Sequence, residues 1–174
     1  QHAYKLLTST VTPRPIAWLT SSSACGVLNA APFSFFNIMG NNPPTVAIGL
    51  VSGVGGELKD TASNILATGE IVVNLVSADL VLEMNQTSAP YTSDVNELRE
   101  VGVETIPASF VAPPLIKKSP VSMECISQTT VVTGPNQLVV IGRVVAMHVQ
   151  DQYVLDAELA KIDTEQLHLV SRLH

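Results

Sequence analysis

The sequence predicts a mainly β domain with a few short helices, its strands antiparallel and closed, or nearly closed, into a barrel. Three observations predict this. Val, Ile, Leu and Thr dominate the periodic segments, and turn residues punctuate them. Two long apolar runs, Val121–Thr133 and Gln137–Val149, are separated only by the Gly-Pro-Asn of Gly134–Asn136, a hairpin signal. Five or six such strands leave fewest open edges when the sheet closes.

The elements follow in order. Ile16–Ser21 reads as a strand, and Ser22–Leu28, with Gly26, as a hairpin turn. Asn29–Met39 reads as a second, kinked strand, and Thr45–Val51 (TVAIGLV) as a short buried one. Ser52–Leu58 holds three glycines and reads as a loop. In Asp60–Thr68, Ala62, Ile65 and Leu66 fall at helical spacing. Asp60 or Thr61 can cap the start, and Gly69 can end the helix. Glu70–Val76 is a strand, Asp79–Asn85 a helix and Asn96–Glu100 a shorter one. The proline-rich stretch Ala108–Pro120 reads as an extended surface loop. Asp151–His174 reads as a looser tail with one more short strand or helix. The run LVVIGRVVAMHV at Leu138–Val149 is apolar on both faces apart from Arg143 and His148. A strand covered on one side by the core and on the other by a helix or a second subunit has this pattern, so a homodimer is expected.

Composition narrows the class. A length of 174 residues suits one domain, 1–174, with a substantial core. A hydrophobic content of 46% against 14% charged residues argues against disorder. Nine Lys and Arg against 15 Asp and Glu give a net charge of −6, a poor match to nucleic acid. Charges or prolines break every apolar run before membrane-spanning length, so no membrane association is expected. The start shows no signal-peptide pattern. Cys25 and Cys125 lack partners at metal-ligand spacing and read as a turn thiol and a small strand hydrophobe. They suit a reducing, cytoplasmic setting, with no metal site and no disulfide.

The chemistry-bearing stretch is Thr12–Thr45, which gathers Arg14, Trp18, Thr20, Asn29, Phe33, Ser34, Phe36 and Asn37 among Pro13, Pro15, Pro32, Pro43 and Pro44. Proline fixes φ and lacks an N–H, so this is stiff, irregular backbone. The combination of aromatics, hydroxyls and a guanidinium suits a flat, partly apolar, anionic small molecule. Lys59 precedes Asp60 and Thr61 at a helix start, where unpaired N–H groups favour phosphate. If Asp60 caps that helix its carboxylate repels phosphate, which leaves Lys59 and Thr61 as the better ligands and Asp60 a backbone contributor. His2, His148, His168 and His174 stand alone, with His148 structural or at a subunit contact. No Ser sits in a GxSxG elbow, and SGVGG at Ser52–Gly56 lacks the context of a dinucleotide fold, so no catalytic side-chain constellation is expected.

Five segments together carry a resemblance: PRPIAW at Pro13–Trp18, NAAPFSFFN at Asn29–Asn37, NPPT at Asn42–Thr45, KDT at Lys59–Thr61 and GEIVVNLV at Gly69–Val76. With SPVSMEC at Ser119–Cys125 and the Leu138–Val149 run, the chain resembles the flavin reductase-like, FMN-binding split-barrel family, and within it the flavoredoxin-like branch. The resemblance implies a homodimeric split barrel that holds FMN near the subunit interface. It implies electrons passing from NAD(P)H or a protein donor through flavin to a small-molecule or protein acceptor. It places Arg14, Trp18 and Thr20 on the first flavin-contacting strand, Asn29, Ala30, Ala31, Pro32, Phe33 and Ser34 against the isoalloxazine, and Lys59, Asp60 and Thr61 at the phosphate. Two further readings stay open: an FMN-binding electron carrier or sensor without NAD(P)H turnover, and a structural barrel with no cofactor.

Overall fold

The computed structural model describes residues 2–52 and 58–173. The glycine-rich loop expected over Ser52–Leu58 therefore lies mostly outside the described residues. The chain opens with a helix, α1 (His2–Thr10), followed by β1 (Arg14–Pro15), β2 (Ala17–Ser22), β3 (Leu28–Phe33), β4 (Phe36–Asn41) and β5 (Pro44–Val51). Then come α2 (Asp60–Thr68), β6 (Glu70–Leu75), a 3₁₀ turn at Ala78–Leu80, α3 (Val81–Gln86), α4 (Glu97–Val101), β7 (Thr105–Ile106) and β8 (Leu115–Ile116). The long hairpin β9 (Val121–Gly134) and β10 (Gln137–Val149) leads through a 3₁₀ turn at Asp151–Tyr153 to β11 (Val154–Asp156), β12 (Lys161–Ile162) and β13 (Ser171–Arg172).

Seven strands form one antiparallel sheet in the order β3-β2-β6-β9-β10-β5-β4. The sheet curls until β3 lies beside β5 without a ladder between them. This is a barrel with an open seam, and the mainly β, antiparallel expectation holds. Alternation along the strands sorts side chains by face. Ala17, Leu19, Ile71, Val73, Ile48, Val140 and Cys125 point inward, where Ala62 and Ile65 of α2 join them. The intervening Trp18 and Val72 point outward and are equally buried. Trp18 packs with Val76, Leu80, Met84, Leu98 and Ile116, so α3, α4 and β8 cover that face. Val72 packs with Val111 and Leu115. A sheet covered on both sides explains why GEIVVNLV is almost continuously apolar.

Two expectations require correction, and one element is unexpected. Asn29–Met39 is not one kinked strand. It breaks at Ser34-Phe35 into β3 and β4, which occupy opposite ends of the sheet order. The break is local and tight: Gly49 N donates to Phe35 O at 2.6 Å, and a Cβ on Gly49 would lie 2.9 Å from Phe35 Cβ. The Ala108–Pro120 stretch is not a surface loop. Val111, Leu115, Ile116 and Ser119 are buried, because the outward face of β6 needs cover. The opening residues, assigned no element from sequence, form α1, whose Tyr4, Leu6 and Leu7 remain exposed.

Polar anchors hold the covering segments. Asn74 Nδ2 donates to Trp18 O at 3.0 Å, while its Oδ1 accepts from Ile116 N and Ser122 Oγ. Thr20 Oγ1 donates to Pro114 O at 2.6 Å. Glu124, fully buried on β9, accepts from Ser109 N, Phe110 N and Val111 N and lies 2.6 Å from His148 Nε2. Burial alone would raise the Glu124 carboxyl, but these N–H donors and His148 outweigh it and hold it below the ordinary value. His148 thus ties β10 to β9 through Glu124, a structural contact of the kind the sequence allows.

A carboxyl lowered in the folded state adds stability above its unfolded pKa and loses it as pH falls through the folded value. Glu124→Gln should therefore lower stability at neutral pH by about 1.5–3 kcal/mol, the scale of charge-assisted bonds. The gap to wild type should close as pH drops below about 4; urea midpoints across pH check it.

Candidate functional site

Helix α2 begins at a corner of the barrel beside β3. Lys59 is its N-cap, in an extended conformation, and makes no side-chain capping bond. Asp60 is the first helical residue, so the expectation that Asp60 or Thr61 caps this helix is corrected. The first intrahelical bond runs from Ser63 N to Lys59 O at 3.1 Å. The N–H groups ahead of Ser63 have no partner within the helix, and they carry the positive end of the helix dipole.

A cavity of about 340 Å³ opens at this helix start. Ala31, Pro32 and Phe33 of β3 form one wall, Lys59, Asp60 and Thr61 the floor, and Thr87 through Tyr91 the far side, with Asn29 and Glu97 between. This volume lies in the range of about 300–1,000 Å³ usual for small-molecule sites. Of the site residues expected from sequence, it brings together Asn29, Ala31, Pro32, Phe33, Lys59, Asp60 and Thr61.

The other five lie elsewhere. Trp18, Thr20 and Ala30 are fully buried. The Trp18 indole N–H donates to Thr87 Oγ1 at 3.0 Å, so Trp18 supports the cavity wall from behind. Ala30 N donates to Glu97 Oε2 at 3.1 Å. Arg14 and Ser34 line a separate groove of about 460 Å³ with Phe35, Phe36, Asn37 and Gln137. Arg14 is 7% exposed, and its Nη1 donates to Thr8 O at 2.6 Å and Val11 O at 2.8 Å, tying α1 to β1.

A polar network backs the cavity. Asn29 Nδ2 donates to Glu97 Oε1 at 2.6 Å, Thr61 Oγ1 donates to Asn29 Oδ1 at 2.7 Å, and Asn64 Nδ2 donates to Ser21 Oγ at 3.1 Å. Burial, the largest influence, pushes the Glu97 carboxyl up; Asp60 adds to this, and the bonds from Ala30 N and Asn29 oppose it. The sequence reading does not single out Glu97, Thr87 or Tyr91. Glu97 looks there like one charge on a solvated helix, and only the fold reveals its burial. Among the described residues, no cluster of His, Cys, Asp and Glu could hold a metal ion, and no helix is long and apolar enough to cross a membrane.

The open-seamed barrel thus carries a cavity lined by one lysine, the carboxylates of Asp60 and Glu97, and the apolar Ala31–Phe33 stretch. The family model for the flavin reductase like domain matches residues 9–163, and the chain belongs to that family. An uncharacterized protein of Deinococcus radiodurans is 39% identical over 174 residues, covering 98% of this chain and 76% of that protein. The crystal structure of nitrilotriacetate monooxygenase component B from Bacillus cereus superposes with a TM-score of 0.92 at 34% identity, covering 99% of this chain and 86% of that one. Flavoredoxin of Desulfovibrio vulgaris superposes with a TM-score of 0.78 over 90% of this chain and 80% of that one. At 15% identity that likeness is one of fold.

The residues present fit a flavin nucleotide. The uncapped α2 start with Lys59 and Thr61 suits a phosphoryl group, and the Ala31–Phe33 wall suits a planar ring.

Asn29→Ala would strip Glu97 of one donor and Thr61 of its acceptor. It should cost about 1–3 kcal/mol, read as a lower denaturation midpoint with an unchanged far-UV spectrum.

Proposed function

We propose that the protein is an FMN-binding oxidoreductase of the flavin reductase type, passing electrons from NAD(P)H through flavin to a small-molecule or protein acceptor. The observation that carries this reading is the cavity that sets the uncapped start of α2 against the Ala31-Pro32-Phe33 wall. Lys59, Thr61 and the first-turn N–H groups of α2 hold the phosphate; Ala31, Pro32, Phe33 and Tyr91 back the ring. When bound, flavin would supply the hydride and electron chemistry that these side chains do not. The protein's part is to bind, orient and shield.

The visible spectrum of the purified protein, with FMN added where it is colourless, tests the flavin. Bleaching of the flavin band by NADH or NADPH tests the donor. Binding without bleaching by either nucleotide points instead to an electron carrier or sensor, and failure to bind FMN overturns the reading.

The exposed apolar surface supports an assembly of two copies. On β4, Ile38 is 72% and Met39 60% exposed, and Tyr4, Leu6 and Leu7 of α1 are exposed as well. Water contact at such side chains is unfavourable, and a second copy of the chain would remove it. We read this as a homodimer face.

Two outcomes are expected. Lys59→Ala should weaken FMN binding by about 1.5–3 kcal/mol, roughly ten- to a hundredfold, while riboflavin, which lacks the phosphate, changes little; fluorescence titration measures both. Ile38→Glu should convert the dimer to a monomer, read by sedimentation velocity.

A further inference from the structure

The cavity holds a carboxylate close to where the phosphate reading places negative charge. Glu97 is 5% exposed and lines the cavity with Lys59, Asp60 and Thr61. An ionised carboxylate beside a phosphate is unfavourable. The hydrogen bonds around Glu97 contain a means of relieving it.

With Glu97 ionised, both its oxygens accept. Oε2 takes Ala30 N at 3.1 Å and Oε1 takes Asn29 Nδ2 at 2.6 Å. The Asn29 amide nitrogen is thereby committed to Glu97, and its Oδ1 faces Thr61 Oγ1 at 2.7 Å. A hydroxyl has one hydrogen. Thr61 spends it on Asn29 and offers only lone pairs to the cavity, which repel phosphate oxygens. A proton on Glu97 Oε1 reverses the chain. The carboxyl O–H then donates to Asn29 Oδ1 after the carboxamide turns half a revolution. Nδ2 donates to Thr61 Oγ1, and the Thr61 hydrogen is released to the ligand. The amide oxygen and nitrogen are nearly the same size, so no heavy atom has to move far. Ala30 N keeps its acceptor throughout, and the bond given up is the long one, 3.4 Å, from Ser21 Oγ to Asn29 Oδ1.

We propose that Glu97 is a positioning residue: its proton sets the direction of the Glu97–Asn29–Thr61 chain, so that phosphate binding takes up one proton and Thr61 becomes a donor. The inference rests on the cavity being the phosphate site. One proton passes from solvent to Glu97 Oε1, and no bond between heavy atoms forms or breaks. Among the described residues, the other charged and titratable groups on the elements packed around Glu97 are Lys59 and Asp60 at the start of α2, Tyr91 and Asp94 from the 87–96 segment, and Arg99 and Glu100 on its own helix. Strands β2 and β3 carry none. Burial and Asp60 already press the carboxyl toward its neutral form.

The test is FMN affinity between about pH 6.5 and about pH 8, with riboflavin as control, for wild type, Glu97→Gln and Thr61→Val. The second phosphate ionisation, near pKa about 6, would by itself tighten binding as pH rises. The proposal expects the opposite in wild type: FMN affinity falls several-fold across the range, and calorimetry in buffers of different ionisation enthalpy records net proton uptake. E97Q keeps an acceptor for Ala30 N and a donor for Asn29 Oδ1, so it holds the chain in the protonated direction and should lose the fall. T61V should bind FMN more weakly and show a smaller fall than wild type, because only the direct repulsion between the Glu97 carboxylate and the phosphate remains; it serves where E97Q does not fold. Riboflavin binding should be independent of pH throughout. Wild-type FMN affinity that is flat or rises with pH, or either variant keeping the wild-type fall, overturns the role of Glu97 and leaves the cavity reading standing. No FMN binding at any pH overturns both.

Discussion

One side chain holds this site together. The Asn29 carboxamide, on β3, bonds at once to Glu97 of α4 and to Thr61 of α2. Asn29, Thr61 and Glu97 are all buried, where an unmet polar group is costly. Strand, helix start and covering helix must therefore arrive in register or leave a charge unpaired. The cavity is the space that this agreement leaves open in front of the wall Ala31-Pro32-Phe33.

The wall itself depends on the outer layer. Trp18 lies on β2, opposite Pro32 in the ladder, and its indole N–H reaches Thr87 on the far side of the cavity. Thr87 in turn donates to Met84 O, which ties it to α3. Burying Trp18 between the sheet and α3, α4 and β8 thus fixes both sides of the cavity with one packing event. Floor and wall share one rigid frame, as pre-organised binding requires.

Much of this is legible in the sequence where local chemistry decides. Gly134–Asn136 turns the long hairpin as read, and the helix at Asp60–Thr68 ends at Gly69 with φ 73°, its N–H on Ile65 O. The motifs name the wall residues and the lysine turn, and these meet in one cavity. Distant contacts decide the rest. Nothing near Ser34-Phe35 signals that β4 leaves its neighbour for the other end of the sheet, because the cause is the close passage of Gly49. Trp18 and Thr20 carry the polar atoms of a ligand contact, yet those atoms are spent on Thr87 and Pro114. Arg14 reads as an anion ligand; in the fold it lines a separate groove, its Nη1 bonds the Thr8 and Val11 carbonyls, and its buried Nε has no partner among the described residues. Glu97 reads as a surface charge and is buried only because α4 folds over β3.

The account stands on the start of α2 as the place where a phosphoryl group is gripped. A crystal structure of the protein grown with FMN tests this directly. The account predicts the phosphorus beside Lys59 and Thr61, with the ring lying along Pro32 and Phe33. Flavin density in the Arg14–Phe36 groove, with the α2 start empty, would contradict it.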